Sequence, residues 1–190
     1  MKIGLVRHFK VVDQSERKWM FGKQFNKWVE QYNESGIQPM AYNGQEHVWD
    51  LCWSSDLSRA AHSAQLIHSG DITYTDQLRE IDVAAVPLAG IKLHYILWLL
   101  LGRMAWHFDH HSQPEGRTST IRRAKELLDL LESNDASLNV LIVSHGVFMH
   151  VIVQELRRRG YKGASMINPR NGELYIHEKV THNEPESRNY

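Results

Sequence analysis

Four side chains suited to phosphoryl chemistry stand where apolar runs of this sequence end. Arg7 and His8 follow the run Met1 to Val6. Arg59 lies in the first turn of the helix expected after a second such run, and His145 follows Val140-Leu141-Ile142-Val143-Ser144. Arginine presents a planar fork of two donors and a fixed charge, which matches a phosphoryl group. A neutral imidazole carries a ring-nitrogen lone pair near pH 7 and can attack phosphorus. A second imidazole can donate to the equatorial oxygens as charge redistributes during transfer. The departing oxygen needs a proton, and Glu80 is the best-placed carboxylate, with Asp76 and Asp82 nearby. Taken singly, each of these residues has a plain structural role as a surface ion pair, a turn histidine or a solvated helix residue. Arg59 is the exception, because a cation in a first helical turn opposes the helix dipole unless an anion is near. Taken together, they point to a phosphate pocket.

The elements that must bring them together are legible as periodicities. Met1–Val6, Val48–Trp53, Ile72–Thr75, Asn139–Ser144 and Glu173–His177 read as strands. The Val-Leu-Ile-Val run has no alternation and suits a strand covered on both faces. Helical spacing marks Phe21–Ser35, with Phe25, Trp28, Val29 and Tyr32 on one face. It also marks a helix capped by Ser55 or Asp56 and carrying Ala60 and Ala64. Further helices are expected over Ile91–Trp106, over Thr120–Glu132 and after His145-Gly146, while Lys10–Met20 and Gln77–Gly90 read as loops and Glu184–Tyr190 as a frayed tail. Strands alternating with helices indicate a three-layer α/β/α arrangement around a mostly parallel sheet. In such sheets ligands gather beyond the carboxyl ends of the strands, where Arg7-His8, Ser54–Arg59 and Ser144-His145 all fall.

Length and composition narrow the function classes. A chain of 190 residues suits one domain. Its 22 basic and 22 acidic residues give zero formal net charge, which argues against nucleic acid or an anionic membrane as partner but leaves room for a small basic pocket. The single Cys52 forms no internal disulfide, so a cytoplasmic setting is the default, and Met1 leads into a strand with no secretory signal pattern. The apolar run Ile91–Leu101 is too short to span a bilayer and reads as a buried or subunit-facing helix, so a homo-oligomer through Leu93–Trp106 is possible. His107 and His111 would share a helix face near Asp109, but Pro114 follows closely, and a polar loop near the site entrance is preferred to a metal site.

Four blocks carry a resemblance. Leu5-Val6-Arg7-His8, Ser54-Ser55-Asp56-Leu57-Ser58-Arg59-Ala60, Leu78-Arg79-Glu80 and Val143-Ser144-His145-Gly146 occur in the order found in the histidine phosphatase, or phosphoglycerate mutase-like, superfamily. The resemblance implies a domain over 1–190 with a substrate-selecting helical insertion at about 81–119. It also implies a phosphohistidine mechanism with neither metal nor cofactor. His8 would attack phosphorus, Arg7, Arg59 and His145 would hold the phosphoryl oxygens, and Glu80 would be the acid and then activate water. The substrate would be a small phosphorylated molecule or a phosphoprotein. The chain departs from the family pattern at Phe9, Lys10 and Val11, which replace a Gly followed by Glu-Thr. It departs again at Gln14, where an Asn often contacts phosphate, and at Ile81–Val86 after the acid. Gln14 keeps an amide on a longer arm and is the remaining phosphate-binding candidate. Hydrolysis is preferred to mutase chemistry because Lys92, Arg103 and Arg117 are scattered rather than clustered. The replaced positions motivate a rival, a catalytically retired pocket that only binds phospho-ligands. Phe9 is expected to point away from the phosphate or to line the pocket mouth.

Overall fold

The computed structural model describes residues 1–12, 19–134 and 138–179. Strand β1 (Lys2–Arg7) buries both faces. Ile3 and Leu5 join one core cluster and Val6 another on the opposite side of the sheet. Downstream come β2 (Trp19–Phe21), α1 (Gly22–Glu34), β3 (Leu51–Ser55), α2 (Ser58–Ile67) and β4 (Ile72–Thr75). After a short 3-10 turn at Asp76–Leu78 follow β5 (Lys92–His94), α3 (Tyr95–His107), α4 (Arg117–Asn134), β6 (Asn139–Ser144), α5 (Gly146–Arg158), β7 (Tyr161–Gly163) and β8 (Leu174–Lys179).

The main sheet has the order β4-β3-β6-β1-β8-β7. Its first four strands are parallel, while β8 and β7 run antiparallel at one edge. The Val140–Val143 run is buried on both faces, as the unbroken apolar pattern predicts. Val140 and Ile142 pack with Leu127 and Leu128 of α4 and Phe148 and Ile152 of α5, whereas Leu141 and Val143 pack with Ala60 and Ala64 of α2. This is the expected three-layer α/β/α arrangement. A separate cluster of Met20, Phe25 and Trp98 joins α1 to α3. Among the described residues no helix is long and apolar enough to cross a membrane.

Several boundaries differ from expectation, each for a local reason. The second strand begins at Leu51, not Val48, because Trp49 instead folds against Gly4 of β1. Ser55 and Asp56 do not cap α2 from its N-cap position, which is Leu57. The Ser55 hydroxyl accepts from the Leu57 N–H at 3.2 Å, and Asp56 is taken by Arg79. The first residues of the expected helix Ile91–Trp106 form β5 instead, by pairing with β2 around the buried Met20. Helix α3 buries Trp98 and Gly102 but exposes Ile96, Leu97, Leu100 and Met104, so it is only half covered. It ends at His107, so His107 and His111 never share a helical face. His110 instead accepts from the Ser112 N–H through Nδ1 at 3.2 Å. The turn does not line the site cavity, but Gln113 within it bonds Ala84, next to the lining residue Val83. Among the described residues no three His, Cys, Asp or Glu side chains gather where they could hold a metal ion.

Candidate active site

The parallel ladder performs the first positioning step. Arg7 at the end of β1 stands beside Ser144 at the end of β6, and Ser54 of β3 beside Val143, so three chain segments leave the sheet side by side. The His8 N–H makes the last rung, to the Ser144 carbonyl at 3.0 Å. Asn171 Nδ2 donates to the His8 carbonyl at 2.6 Å, and the Phe9 N–H donates to Ser63 Oγ at 2.8 Å. With the backbone gripped on both sides, the two rings diverge. His8 lines a cavity of about 380 Å³, whereas Phe9 is buried against Gly172. A Cβ on Gly172 would fall 2.8 Å from the Phe9 ring, and φ there is +71°, so glycine serves both the turn and the ring. Phe9 therefore points away from the site, as the sequence reading anticipates.

The hydrogen bonds of His8 select its tautomer. Nδ1 lies 2.7 Å from the Phe9 carbonyl, which can only accept, so Nδ1 carries the proton and Nε2 keeps its lone pair. Burial first, then the charges of Arg59 and Arg7, lower its pKa to about 3 against the opposing effect of the Phe9 bond. The ring is thus neutral throughout the physiological range. The His145 ring sits 5.0 Å from it, centroid to centroid. Its Nε2 lies 2.9 Å from Ser55 Oγ, and its buried Nδ1 has no partner. Burial, then Arg59 and His8, hold His145 well below the usual imidazole value. His145 stands behind His8 and not on the cavity wall.

Both predicted arginines line the cavity. Arg7 donates through Nη1 to the Pro169 carbonyl at 2.9 Å and lies over Gly146, where a Cβ would come within 3.2 Å of Nε. Arg59 is 2% exposed and donates through Nη1 to Asn33 Oδ1 at 3.0 Å. Burial lowers its pKa. The ion pairs of the described residues engage Arg79, Arg123, Arg158 and Arg159 among others, but not Arg7 or Arg59. Among the described residues the Nε atoms of Arg7 and Arg59 are buried without hydrogen-bond partners, like His145 Nδ1. Buried charge and orphaned donors are costly, and an anion in the cavity would offset that cost at Arg7 and Arg59.

Glu80 lines the same cavity from a loop with no strand partner. Its Oε1 accepts from the Phe148 and Ile81 N–H groups, both at 3.0 Å, and its Oε2 accepts from the Val147 N–H at 3.2 Å. The carboxylate thus sits on the N-terminus of α5, a favourable place for negative charge. The backbone before and after it is held by side chains. Ser144 Oγ donates to the Leu78 carbonyl at 2.8 Å, and Arg123 to the Gln77 and Arg79 carbonyls at 2.8 and 2.9 Å. Arg103 donates to the Ile81 carbonyl at 2.9 Å, and the Gln113 amide both accepts from and donates to Ala84 at 3.0 Å. The Arg79 fork closes on Asp56 at 2.6 and 2.5 Å, tying the acid loop to the β3–α2 turn. Gln14 lies outside the described residues.

The family model for the histidine phosphatase superfamily (branch 1) matches residues 5–188. The chain belongs to this superfamily. No curated protein gives a match. Among solved structures, that of an open reading frame from Mycobacterium tuberculosis aligns at a TM-score of 0.55 and 18% identity, covering 82% of this chain and 79% of the other. The mycobacterial glucosyl-3-phosphoglycerate phosphatase aligns at 0.51 and 17%, covering 83% and 79%. The α-ribazole phosphatase from Shigella flexneri aligns at 0.50 and 20%, covering 82% and 79%. At such identities these structures speak to the fold.

In this member of the superfamily the structure unites Arg7, His8, Arg59 and Glu80 on one cavity, with the buried His145 ring 5.0 Å from that of His8. The sequence reading missed Asn33, Ser63 and Asn171, and the Asp56–Arg79 fork that links two of its own motif blocks. Asp56 and Arg79 do carry a signal, since both fall inside motif blocks with opposite charge. Asn171 carries none, because its contact to His8 spans 163 residues of chain. Arg103, noted only as one of several scattered cations, lies on the cavity wall.

Proposed function

We propose that this protein hydrolyses phosphate monoesters through a phosphohistidine on His8. The observation that supports this reading is the His8 tautomer, with Nδ1–H committed to a carbonyl, in a residue that lines a cavity together with two arginines that make no ion pair among the described residues. Arg7 and Arg59 hold the phosphoryl oxygens and supply the charge stabilisation the transfer needs. His8 Nε2 forms a bond to phosphorus as the ester P–O bond breaks, and the Glu80 carboxylate relays the proton of the monoanionic phosphoryl group to the departing alcohol oxygen. His145 lies off the cavity wall and acts through His8, packing 5.0 Å from its ring while the Ser55 hydroxyl donates to its Nε2. Water then attacks the phosphohistidine, losing its proton to Glu80, and the N–P bond breaks to return neutral His8 and inorganic phosphate. Residues 81–119, which supply Arg103 and Tyr95 to the cavity, act as the substrate-selecting insertion of a domain over 1–190.

Arg103 is the observation that favours mutase chemistry, since a second cation could hold a second anionic group. Its Nη1 is already bonded to the Ile81 carbonyl, and Glu80 and Asp82 face its charge. It serves the acid loop, which favours hydrolysis. The position of Phe9, buried against Gly172, removes one of the motives for a retired pocket. Incubating the protein with an aryl phosphate in the presence of EDTA tests the proposal. Phosphate release by the wild type and loss of at least about 10³-fold in His8→Ala are expected. Activity surviving in His8→Ala, or abolished by EDTA, contradicts it.

A further inference from the structure

We infer that this site selects phosphate esters of aromatic alcohols, with the ring of the leaving group lying against Trp28, Tyr32 and Tyr95. The inference rests on the phosphomonoesterase reading of the same cavity and adds the chemical class of the ester. The three rings line the same cavity as the arginine clamp and are half-buried. Trp28 is central, with centroids 5.7 Å from Tyr32 and 5.6 Å from Tyr95. Tyr32 reaches the clamp itself, its ring centroid lying 5.6 Å from the Arg59 guanidinium carbon. In an aryl phosphate a single oxygen separates ring from phosphorus, so a phosphoryl group on Arg59 delivers the ring directly to this wall.

The wall is also rigid. Trp28 stacks on Phe25 at 5.9 Å and 29°, and Phe25 stacks on Trp98 at 6.1 Å. Both backing residues are fully buried, and the Trp98 indole N–H is fixed to the Met20 carbonyl at 2.8 Å. A preformed aromatic platform favours a flat apolar partner, which loses little freedom on stacking. Asn33 and Asp82 also line the cavity, so the preference comes from the stacking a ring gains and not from a lack of polar groups. Val83 and Leu99 extend the apolar lining.

The test compares phenylphosphonate with methylphosphonate by calorimetry, and phenyl phosphate with glycerol phosphate by kcat/KM. A preference of at least tenfold for the aromatic member is expected in both. In Trp28→Leu the aryl-to-alkyl ratio should collapse to within about threefold, with Tyr95→Leu as a second variant should the first not fold. Turnover without an aromatic preference, or an unchanged ratio in both variants, overturns the inference and leaves the hydrolase reading intact. Aromatic preference in binding without turnover of any ester supports the ligand class and refutes the hydrolase reading. A free aryl phosphate and a phosphotyrosine side chain share this chemistry. Comparing free phosphotyrosine with the same residue inside a peptide separates the two sources.

Discussion

The two sides of the site are built by different means. On the His8 side, position comes from the sheet, with adjacent parallel strands in register and residues that simply continue past the last rung. On the Glu80 side there is no ladder. The segment from Gln77 to Ala84 hangs from Arg123 of α4, Ser144 of β6, Arg103 of α3 and Gln113 of the α3–α4 connection. A backbone ladder is cooperative and tolerates side-chain change, whereas a loop hung from side chains depends on each of them. The His8 side is therefore held by topology, and the Glu80 side only by sequence.

The largest effect that sharpens this contrast belongs to the clamp. Arg59→Met keeps the helix and removes a buried charge, and kcat/KM for an aryl phosphate should fall about 10²- to 10³-fold. A loss below tenfold would place the phosphoryl group elsewhere. Next comes the acid itself. Glu80→Gln should lower kcat about 10²-fold for an alkyl phosphate and much less for 4-nitrophenyl phosphate, whose leaving group needs no proton. Equal losses for both esters would remove Glu80 from the proton-donating role. Smaller again are the loop supports. Gln113→Ala, which frees both backbone groups of Ala84, should cost about tenfold in kcat. The penalty should shrink for 4-nitrophenyl phosphate as it does for Glu80→Gln. An equal penalty on all esters would mean that Gln113 does not act through the acid.

The asymmetry explains what could be read from the chain. Arg7, His8 and His145 were legible because an apolar run and the residue that ends it are contiguous, and parallel pairing then aligns the ends; Arg59 was legible as a cation in a first helical turn. The Val140–Val143 strand was legible for the same reason, its unbroken apolar run matching burial on both faces. The acid loop was not, because Arg103, Gln113 and Arg123 contact it across 22 to 46 positions of chain with no periodicity to announce them. The Ser55 and Asp56 pair was misread for an instructive reason. Both are good helix caps, but the hydroxyl of one serves His145 and the carboxylate of the other holds Arg79. Local propensity yielded to the needs of the site. The strands β2, β5 and β7 are only three residues long and arise from tertiary pairing, leaving little local pattern.

The smallest predicted effect concerns pH. In the folded protein His8 takes up a proton only near pH 3, whereas an unfolded histidine does so near its ordinary value of 6.5. Below pH 6.5 the unfolded chain therefore binds protons that the folded chain refuses, and stability falls as pH falls through that window. His145 acts with the same sign. Glu155, held to about 2 chiefly by its hydrogen bond to Arg158, adds a further loss as pH falls below the ordinary carboxylate range. The urea midpoint of the wild type should drop between pH 6.5 and 5, and that of His8→Asn should drop less. Equal slopes would contradict the neutral, buried His8 on which the nucleophile assignment depends.

The central claim is that His8 Nε2 becomes bonded to phosphorus. Rapid denaturing quench during turnover of a ³²P-labelled aryl phosphate, followed by peptide mapping, tests it most directly. The account predicts an acid-labile, base-stable label on the peptide carrying His8, absent in His8→Ala. Turnover with no trapped label on that peptide, or a label that survives acid, would contradict it.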